Sequence, residues 1–265
     1  MSLVSGNVLV TGATGGLGQA IARGFAARGA SLVLTGRRQD ELDALASELG
    51  ARAIRCDLGD RGELDRLVEE AGEIDVLVAN AALPGTGGLT DLTQSQIDAM
   101  LEVNLRAPIA LARGLLPDMI SRDRGHLVFI SSLAGKAATR LSSLYSAAKF
   151  GLRGFALSLS QDLRDTNVGV SVVLPGFISE AGLFADANVR LPRGVATRTP
   201  ADVAAAVLDA IERDRTEVSV APLSLRLTSN FATVAPTAAA QLSRLFGGDR
   251  VADEHVAGQL DKRPS

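Results

Sequence analysis

Asn7-Val8-Leu9-Val10-Thr11-Gly12-Ala13-Thr14-Gly15-Gly16-Leu17-Gly18 decides the fold: a short apolar run passes straight into a glycine-rich turn, and a stretch of helical period follows. Val and Leu without polar alternation fit a strand buried on both faces, the condition of a parallel sheet. Glycine lets the turn tighten and leaves no Cβ between backbone and ligand, while the first helical turn offers free N–H groups and partial positive charge. A strand, turn and helix so joined can hold a phosphate. The spacing of Gly12, Gly16 and Gly18 differs from G-x-G-x-x-G, and taken alone the stretch also reads as a glycine-rich turn that holds nothing.

Working outward, further apolar runs at 31–35, 53–56, 74–79, 126–131, 170–174 and 217–221 alternate with helical patterns at 17–28, 40–49, 62–70, 95–120, 145–163 and 200–213. This alternation predicts an α/β fold, a single-domain Rossmann-like doubly wound parallel sheet of about seven strands with helices on both faces. Thr199 before Pro200 marks one helix start as an N-cap followed by proline at the first helical position. Pro108 and Pro117 are expected to break or kink the long helix at 95–120. No change in composition divides the chain, so residues 1–248 are read as one domain and the charged residues 249–265 as a polar tail.

Composition removes several classes of function. The 265 residues carry a net charge of −3 with no run of Lys or Arg, so no nucleic-acid partner is expected. No secretory leader and no integral membrane segment is read, and a single cysteine, Cys56, excludes an internal disulfide. His126 and His255 stand apart with no metal-ligand spacing, so the expectation is a cytoplasmic protein without a metal. Tyr145 is the one tyrosine of the chain.

The chemistry-bearing residues fall at predicted strand ends. Asp57-Leu58 and Asn80-Ala81-Ala82 follow the third and fourth strands on the carboxyl edge, where open α/β sheets bind ligands. Asp57 could accept from an adenine amino group or cap a turn, and Asn80 could line a ligand or tie two strands together. After the second strand, Gly36 stands where an acidic residue would bind the adenosine ribose, and Arg37 follows with a guanidinium suited to a 2′-phosphate. This favours NADP, with NAD possible as a second cofactor; a solvated turn is the other reading of Arg37 and Arg38. Tyr145 and Lys149 share one helix face, and an ammonium near a phenol would lower its pKa toward neutral. Ser132, ending the fifth strand, offers a hydroxyl that could polarise a carbonyl. Asn104 sits inside the long helix despite poor helix propensity, which points to a local distortion or a functional reason.

Together these residues resemble the short-chain dehydrogenase/reductase family in its compact form. Its signatures T-G-x-x-x-G-x-G, N-N-A-G, a helix asparagine, a serine, Y-x-x-x-K and P-G read here as Thr11 to Gly18, Asn80-Ala81-Ala82, Asn104, Ser132, Tyr145 to Lys149 and Pro175-Gly176. The resemblance implies an NAD(P)-dependent oxidoreductase interconverting a ketone or aldehyde and an alcohol. It makes Asn104, Ser132, Tyr145 and Lys149 catalytic: Ser132 orients substrate, Tyr145 is the acid/base, Lys149 holds the ribose, and Asn104 anchors a relay water. It places Gly12, Thr14, Gly15, Gly16, Leu17, Gly18, Arg37, Asp57, Leu58, Asn80, Ala81 and Ala82 at the cofactor, with Pro175, Gly176 and Ile178 beside the nicotinamide. The implied partners are a small carbonyl or alcohol substrate and a second copy in a homodimer or homotetramer. The usual tetramer is put in doubt because Pro222 and an Ala/Leu-rich segment replace the family's common V-D-G-G ending. That segment, Leu223 to Phe246, is too apolar for a free tail and is expected to wall an apolar substrate, to meet another subunit or to pack as plain core. A dinucleotide-sensing protein without catalysis is the alternative function; loss of Tyr, Lys, Ser or Asn would mark it, and none is lost.

Overall fold

The computed structural model describes residues 2–180, 185, 189, 196–245 and 247–259. Strands β1 (Asn7–Thr11), β2 (Ser31–Gly36), β3 (Arg52–Arg55), β4 (Val76–Ala79), β5 (Gly125–Ile130), β6 (Val168–Pro175) and β7 (Glu217–Val220) form one seven-stranded parallel sheet. Its order is β3-β2-β1-β4-β5-β6-β7. The helices between them are α1 (Gly16–Ala26), α2 (Gln39–Leu49), α3 (Arg61–Ala71), α4 (Gln94–Leu101), α5 (Ala107–Ser121), α6 (Ser143–Asp162) and α7 (Pro200–Glu212).

Successive strand residues point to opposite faces, and this splits the core into two layers. Val8, Val10, Val76, Val78 and Val128 pack with Ile21 and Phe25 of α1, Leu42 of α2 and Val203 and Val207 of α7. Leu9, Leu77, Leu127 and Phe129 pack on the other face with Leu64 of α3, Leu111 of α5 and Leu152 of α6. Each such side chain contributes about 1.5–3 kcal/mol on burial, so the apolar strands hold both helical layers at once. Phe129 also meets Phe155 edge to face, ring centroids 5.5 Å apart and planes at 81°, which seats α6 against β5.

Two helical expectations are corrected. The stretch read as one helix over 95–120 is α4, a π-helical turn at Glu102–Arg106, and α5. The distortion lies before Pro108, which takes its place in the first turn of α5, and α5 runs on through Pro117. The carboxyl end is also more helical than its composition suggests: α8 (Leu223–Val234) and α9 (Pro236–Leu245) are followed by α10 (Gly248–Ala257), where a polar tail was expected. This segment is fastened to the body by polar contacts. Asp253 pairs with Arg140, Thr86 Oγ1 donates to Gln259 Oε1 at 2.8 Å, and Lys136 Nζ donates to Asn230 Oδ1 at 3.1 Å.

His126, at the start of β5, is buried, with Nε2 2.8 Å from Ser171 Oγ. The Ser171 hydroxyl gives its proton to the Arg215 carbonyl at 2.7 Å, so Nε2 carries the proton of the imidazole. Burial pushes the imidazole down to about 4 from 6.5, partly opposed by Asp214. The unfolded chain therefore takes up a proton near pH 6.5 that the folded chain refuses. Stability is full above that pH and falls by about 1.4 kcal/mol per unit below it, until the folded pKa is reached. Urea unfolding between pH 7 and 5 should show this slope, and His126→Gln should flatten it; an unchanged slope would contradict the role of His126.

Candidate active site

β1 lies at the point where the strand order reverses: its chain proceeds to β2 on one side, and β4 lies on the other. The turns leaving β1 and β4 diverge there and open a crevice at the carboxyl edge. Gly12 enters this crevice with φ +62°, and a Cβ on it would stand 2.7 Å from Ala81 Cα. A Cβ on Gly18 would stand 2.2 Å from the Gly12 carbonyl oxygen. Gly15 precedes α1 without a capping side chain, and the first turn of α1 holds no acid, so its N–H groups are left for a ligand. Thr14 packs beside Gly36, where a Cβ would meet Thr14 Oγ1 at 3.3 Å.

The reacting side chains are set by a tight contact between the end of β5 and α6. Ser131 Oγ donates to the Lys149 carbonyl at 2.9 Å, and Lys149 Nζ donates to the Ile130 carbonyl at 2.9 Å. A Cβ on Gly135 would lie 2.8 Å from the Lys149 carbonyl, so the short turn Leu133–Gly135 presses directly on the helix. Ser132, extended and accepting from Ala134 N at 3.1 Å, hydrogen-bonds the Tyr145 phenol. Lys149 Nζ sits 5.7 Å from the centroid of the Tyr145 ring.

The electrostatics differ from the sequence expectation. Burial raises the Tyr145 phenol to about 12, against the hydrogen bond from Ser132, and burial lowers Lys149 to about 8. Lys149 is spent on a backbone carbonyl and lies under the ring, so it does not lower the phenol here. Tyr145 is half-buried at the open cleft, and water there softens the push upward.

One cleft of about 1580 Å³ takes in Gly12, Thr14, Gly15, Gly16, Leu17 and Gly18 on one side and Ser132, Tyr145 and Lys149 on the other. Asn80, Ala81, Ala82, Pro175, Gly176 and Ile178 line it too. Ordinary ligand pockets are roughly 300–1,000 Å³, so there is room for a dinucleotide and a substrate together. A small side pocket is formed by Arg37, Asp57 and Leu58 with Gly12, Ala81 and Ala82. The structural readings of Asp57 and Asn80 are realised: Asp57 Oδ1 caps its turn by accepting from Gly59 N at 2.9 Å, and Asn80 Nδ2 ties β4 to β1 through the Thr11 carbonyl at 3.0 Å. Asn104 lines neither space. Its Oδ1 accepts from Leu83 N at 2.7 Å and its Nδ2 donates to Leu83 O at 2.8 Å, pinning the loop after β4 to the π-helical turn.

Sequence reading passed over several cleft residues. Arg38 donates to the Thr14 carbonyl at 2.9 Å and pairs with Glu41 at 3.0 Å, so it braces the phosphate turn. Lys136 and Arg153 also face the cleft, and Leu225, Phe231 and Leu242 of α8 and α9 line it as the apolar wall expected of that segment. The apolar content of 222–246 was the available signal for the helices; the charged residues carried none. Residues 134–144 and 179–198 are expected from sequence to form much of the substrate pocket; of the second stretch, residues 181–184, 186–188 and 190–195 lie outside the described residues. Among those described, no His, Cys, Asp and Glu cluster could hold a metal, and no helix is long and apolar enough to cross a membrane.

A family model described as short chain dehydrogenase matches residues 6–189. The chain belongs to the short-chain dehydrogenase/reductase family, whose members here include NAD(P)-dependent oxidoreductases. It is 36% identical to the ketoacyl reductase HetN of Nostoc sp., covering 97% of each chain. It is 33% identical to the dehydrogenase/reductase SDR family member 7B of Mus musculus, over 86% of this chain and 77% of that protein. Among solved structures, a short-chain dehydrogenase from Sphingobium yanoikuyae in complex with NADPH superposes with a TM-score of 0.77 at 27% identity, covering 88% of this chain and 94% of that one. A metagenomic short-chain oxidoreductase in complex with NADP does so at 0.69 and 34% identity, covering 84% and 98%.

Asn104→Ala should remove both partners of the Leu83 backbone in a buried place. Unpaired buried groups cost about 1–3 kcal/mol each, so a loss of about 2–4 kcal/mol is expected in urea unfolding. A loss under half a kcal/mol would show that the pairing with Leu83 does not hold this loop.

Proposed function

We propose that the protein reduces a ketone or aldehyde to an alcohol, or runs the reverse, with Tyr145 as the acid/base and NADPH as the preferred cofactor. The observation that carries this reading is the convergence of Ser132, Tyr145 and Lys149 on the same cleft as the glycine cradle. The cradle fits a pyrophosphate because its close backbone contacts leave no space for side chains and its N–H groups are uncapped. A bound nicotinamide would supply or accept the hydride.

Ser132 positions the carbonyl oxygen by a hydrogen bond, and Tyr145 gives that oxygen its proton. With its pKa raised, the phenol is protonated at neutral pH, the state needed to act as an acid. Lys149 remains an ammonium below about pH 8, suited to the ribose hydroxyls and to the proton's return path. A relay water would be held by the main chain of the π-helical turn, since the Asn104 side chain is committed to Leu83. The wall formed by Leu225, Phe231 and Leu242 favours an apolar substrate.

Tyr145→Phe should retain cofactor binding, read by NADPH fluorescence, and lose about 10²–10⁴ in kcat against a panel of ketones and aldehydes. Undiminished turnover in the folded variant would remove Tyr145 from the chemistry.

NADPH preference rests on Arg37, which has no ion pair to a described carboxylate and lines a small pocket with Gly36, a residue that carries no acid to repel a 2′-phosphate. The relatives solved with NADP(H) support the same choice. A charge-assisted hydrogen bond is worth about 1.5–3 kcal/mol, so Arg37→Ala should raise the Kd for NADPH about tenfold to a hundredfold and leave NADH nearly unchanged. Tighter binding of NADH than NADPH by the unmodified protein would refute the preference.

A further inference from the structure

Away from the glycine cradle and the reacting groups, the cleft wall holds a charged trio. Lys136 follows the turn after Ser132 and is 7% exposed; its Nζ lies 2.6 Å from Glu217 Oε1 and donates to Asn230 Oδ1 at 3.1 Å. Arg153, on α6, donates its Nε to Glu217 Oε2. Lys136 and Arg153 both face the cleft that contains Tyr145. Burial alone would raise the Glu217 carboxyl, but the hydrogen bonds from Lys136 and Arg153 hold it below its usual range, so it is ionised.

Two cations thus share a single carboxylate, and among the described residues no other carboxylate pairs with either. A structural tie between β7 and α6 needs one cation; the second leaves a positive charge uncompensated in a wall that also carries Leu133, Phe150 and Leu225. Placing such a charge in apolar surroundings is costly unless an anion meets it. Donors to meet one are present. An ammonium has three N–H groups, of which Lys136 uses two, and the Nη groups of Arg153 find no acceptor among the described residues.

The spacing adds a length. Tyr145, Lys149 and Arg153 follow one another at intervals of four on the same side of α6, so Arg153 lies about 12 Å along the axis from the reacting tyrosine. We propose that Lys136 and Arg153 form an anion subsite that holds a carboxylate or phosphate at the far end of an elongated apolar carbonyl substrate. The proposal deepens the reading of Tyr145 as the reacting end and rests on it for the substrate's orientation.

Binding tests it without turnover. Decanoate, decyl phosphate and decanol are titrated calorimetrically onto the full-length protein, with thermal unfolding to confirm that each variant is folded. The unmodified protein should bind at least one anion about tenfold or more tightly than decanol, and K136M and R153A should each abolish that preference. Which anion wins distinguishes a carboxylate end from a phosphate end. E217Q breaks the structural tie yet raises the local positive charge, so it should strengthen anion binding severalfold. If both anions bind no better than decanol, or if folded E217Q weakens them as K136M does, the trio is only a structural tie and the subsite is wrong. Should E217Q fail to fold, the unmodified protein, K136M and R153A decide. Absence of carbonyl reduction would count against the chemistry assigned to Tyr145 and would leave the calorimetric result standing.

Discussion

The close approach of two backbones at the end of β1 is the constraint on which the rest depends. Gly12, with positive φ, lies so near Ala81 that a side chain has no place between them, and Gly18 lies as near to the Gly12 carbonyl. These contacts bring the end of β4 beside the start of α1 and so shape one rim of the cleft. They are possible because β1 is central, bonded to β2 on one side and β4 on the other, with apolar side chains committed to both layers of the core. The sheet supplies rigidity, and the glycines spend it on a narrow backbone surface for a ligand.

The second rim depends on a different economy. Lys149 carries a charge into a nearly closed place, and the Ile130 carbonyl and the ring of Tyr145 receive it. The same residue's carbonyl is held by Ser131, so backbone and side chain are fixed by consecutive residues at one strand end. Ser132 follows them directly. The relative placement of hydroxyl, phenol and ammonium is therefore a property of one strand end and one helix, with Phe129 and Phe155 holding those two elements together beneath.

Much of this was legible from residue order. Strands buried on both faces are continuous apolar runs, and their positions emerge from Val and Leu alone, as β1 and β5 illustrate. The glycine turn, Ser132 and the Tyr145/Lys149 pair are legible because each sits at a strand end or on a helix face that local pattern fixes. Harder to read were features set by tertiary packing. The local distortion that Asn104 suggests is present as the π-helical turn, but its form, rather than a kink at proline, depends on the pairing of Asn104 with Leu83, far away in the chain. The phenol's pKa moves opposite to the expected direction because burial outweighs an ammonium that is engaged elsewhere. Lys136, Arg153 and Glu217 look like ordinary surface charges until β7, α6 and the turn after Ser132 meet. Asp253 of α10 and Gln259 just beyond it rest on partners, Arg140 and Thr86, that no local pattern joins to them.

The hairpin of α8 and α9 differs in kind from the sheet beside it. Leu223, Leu227, Val234 and Leu245 are more than half exposed, and the described ties of the carboxyl-terminal segment to the body are polar: Lys136 to Asn230, Arg140 to Asp253 and Thr86 to Gln259. A unit with few buried apolar residues of its own opens at a lower free energy than the core it leans on. Slow amide exchange will then belong to β1, β4 and β5, and fast exchange to the hairpin. The wall of the cleft is thereby a separate cooperative unit, so that on warming the molecule loses its enclosed reaction space while its sheet is still intact.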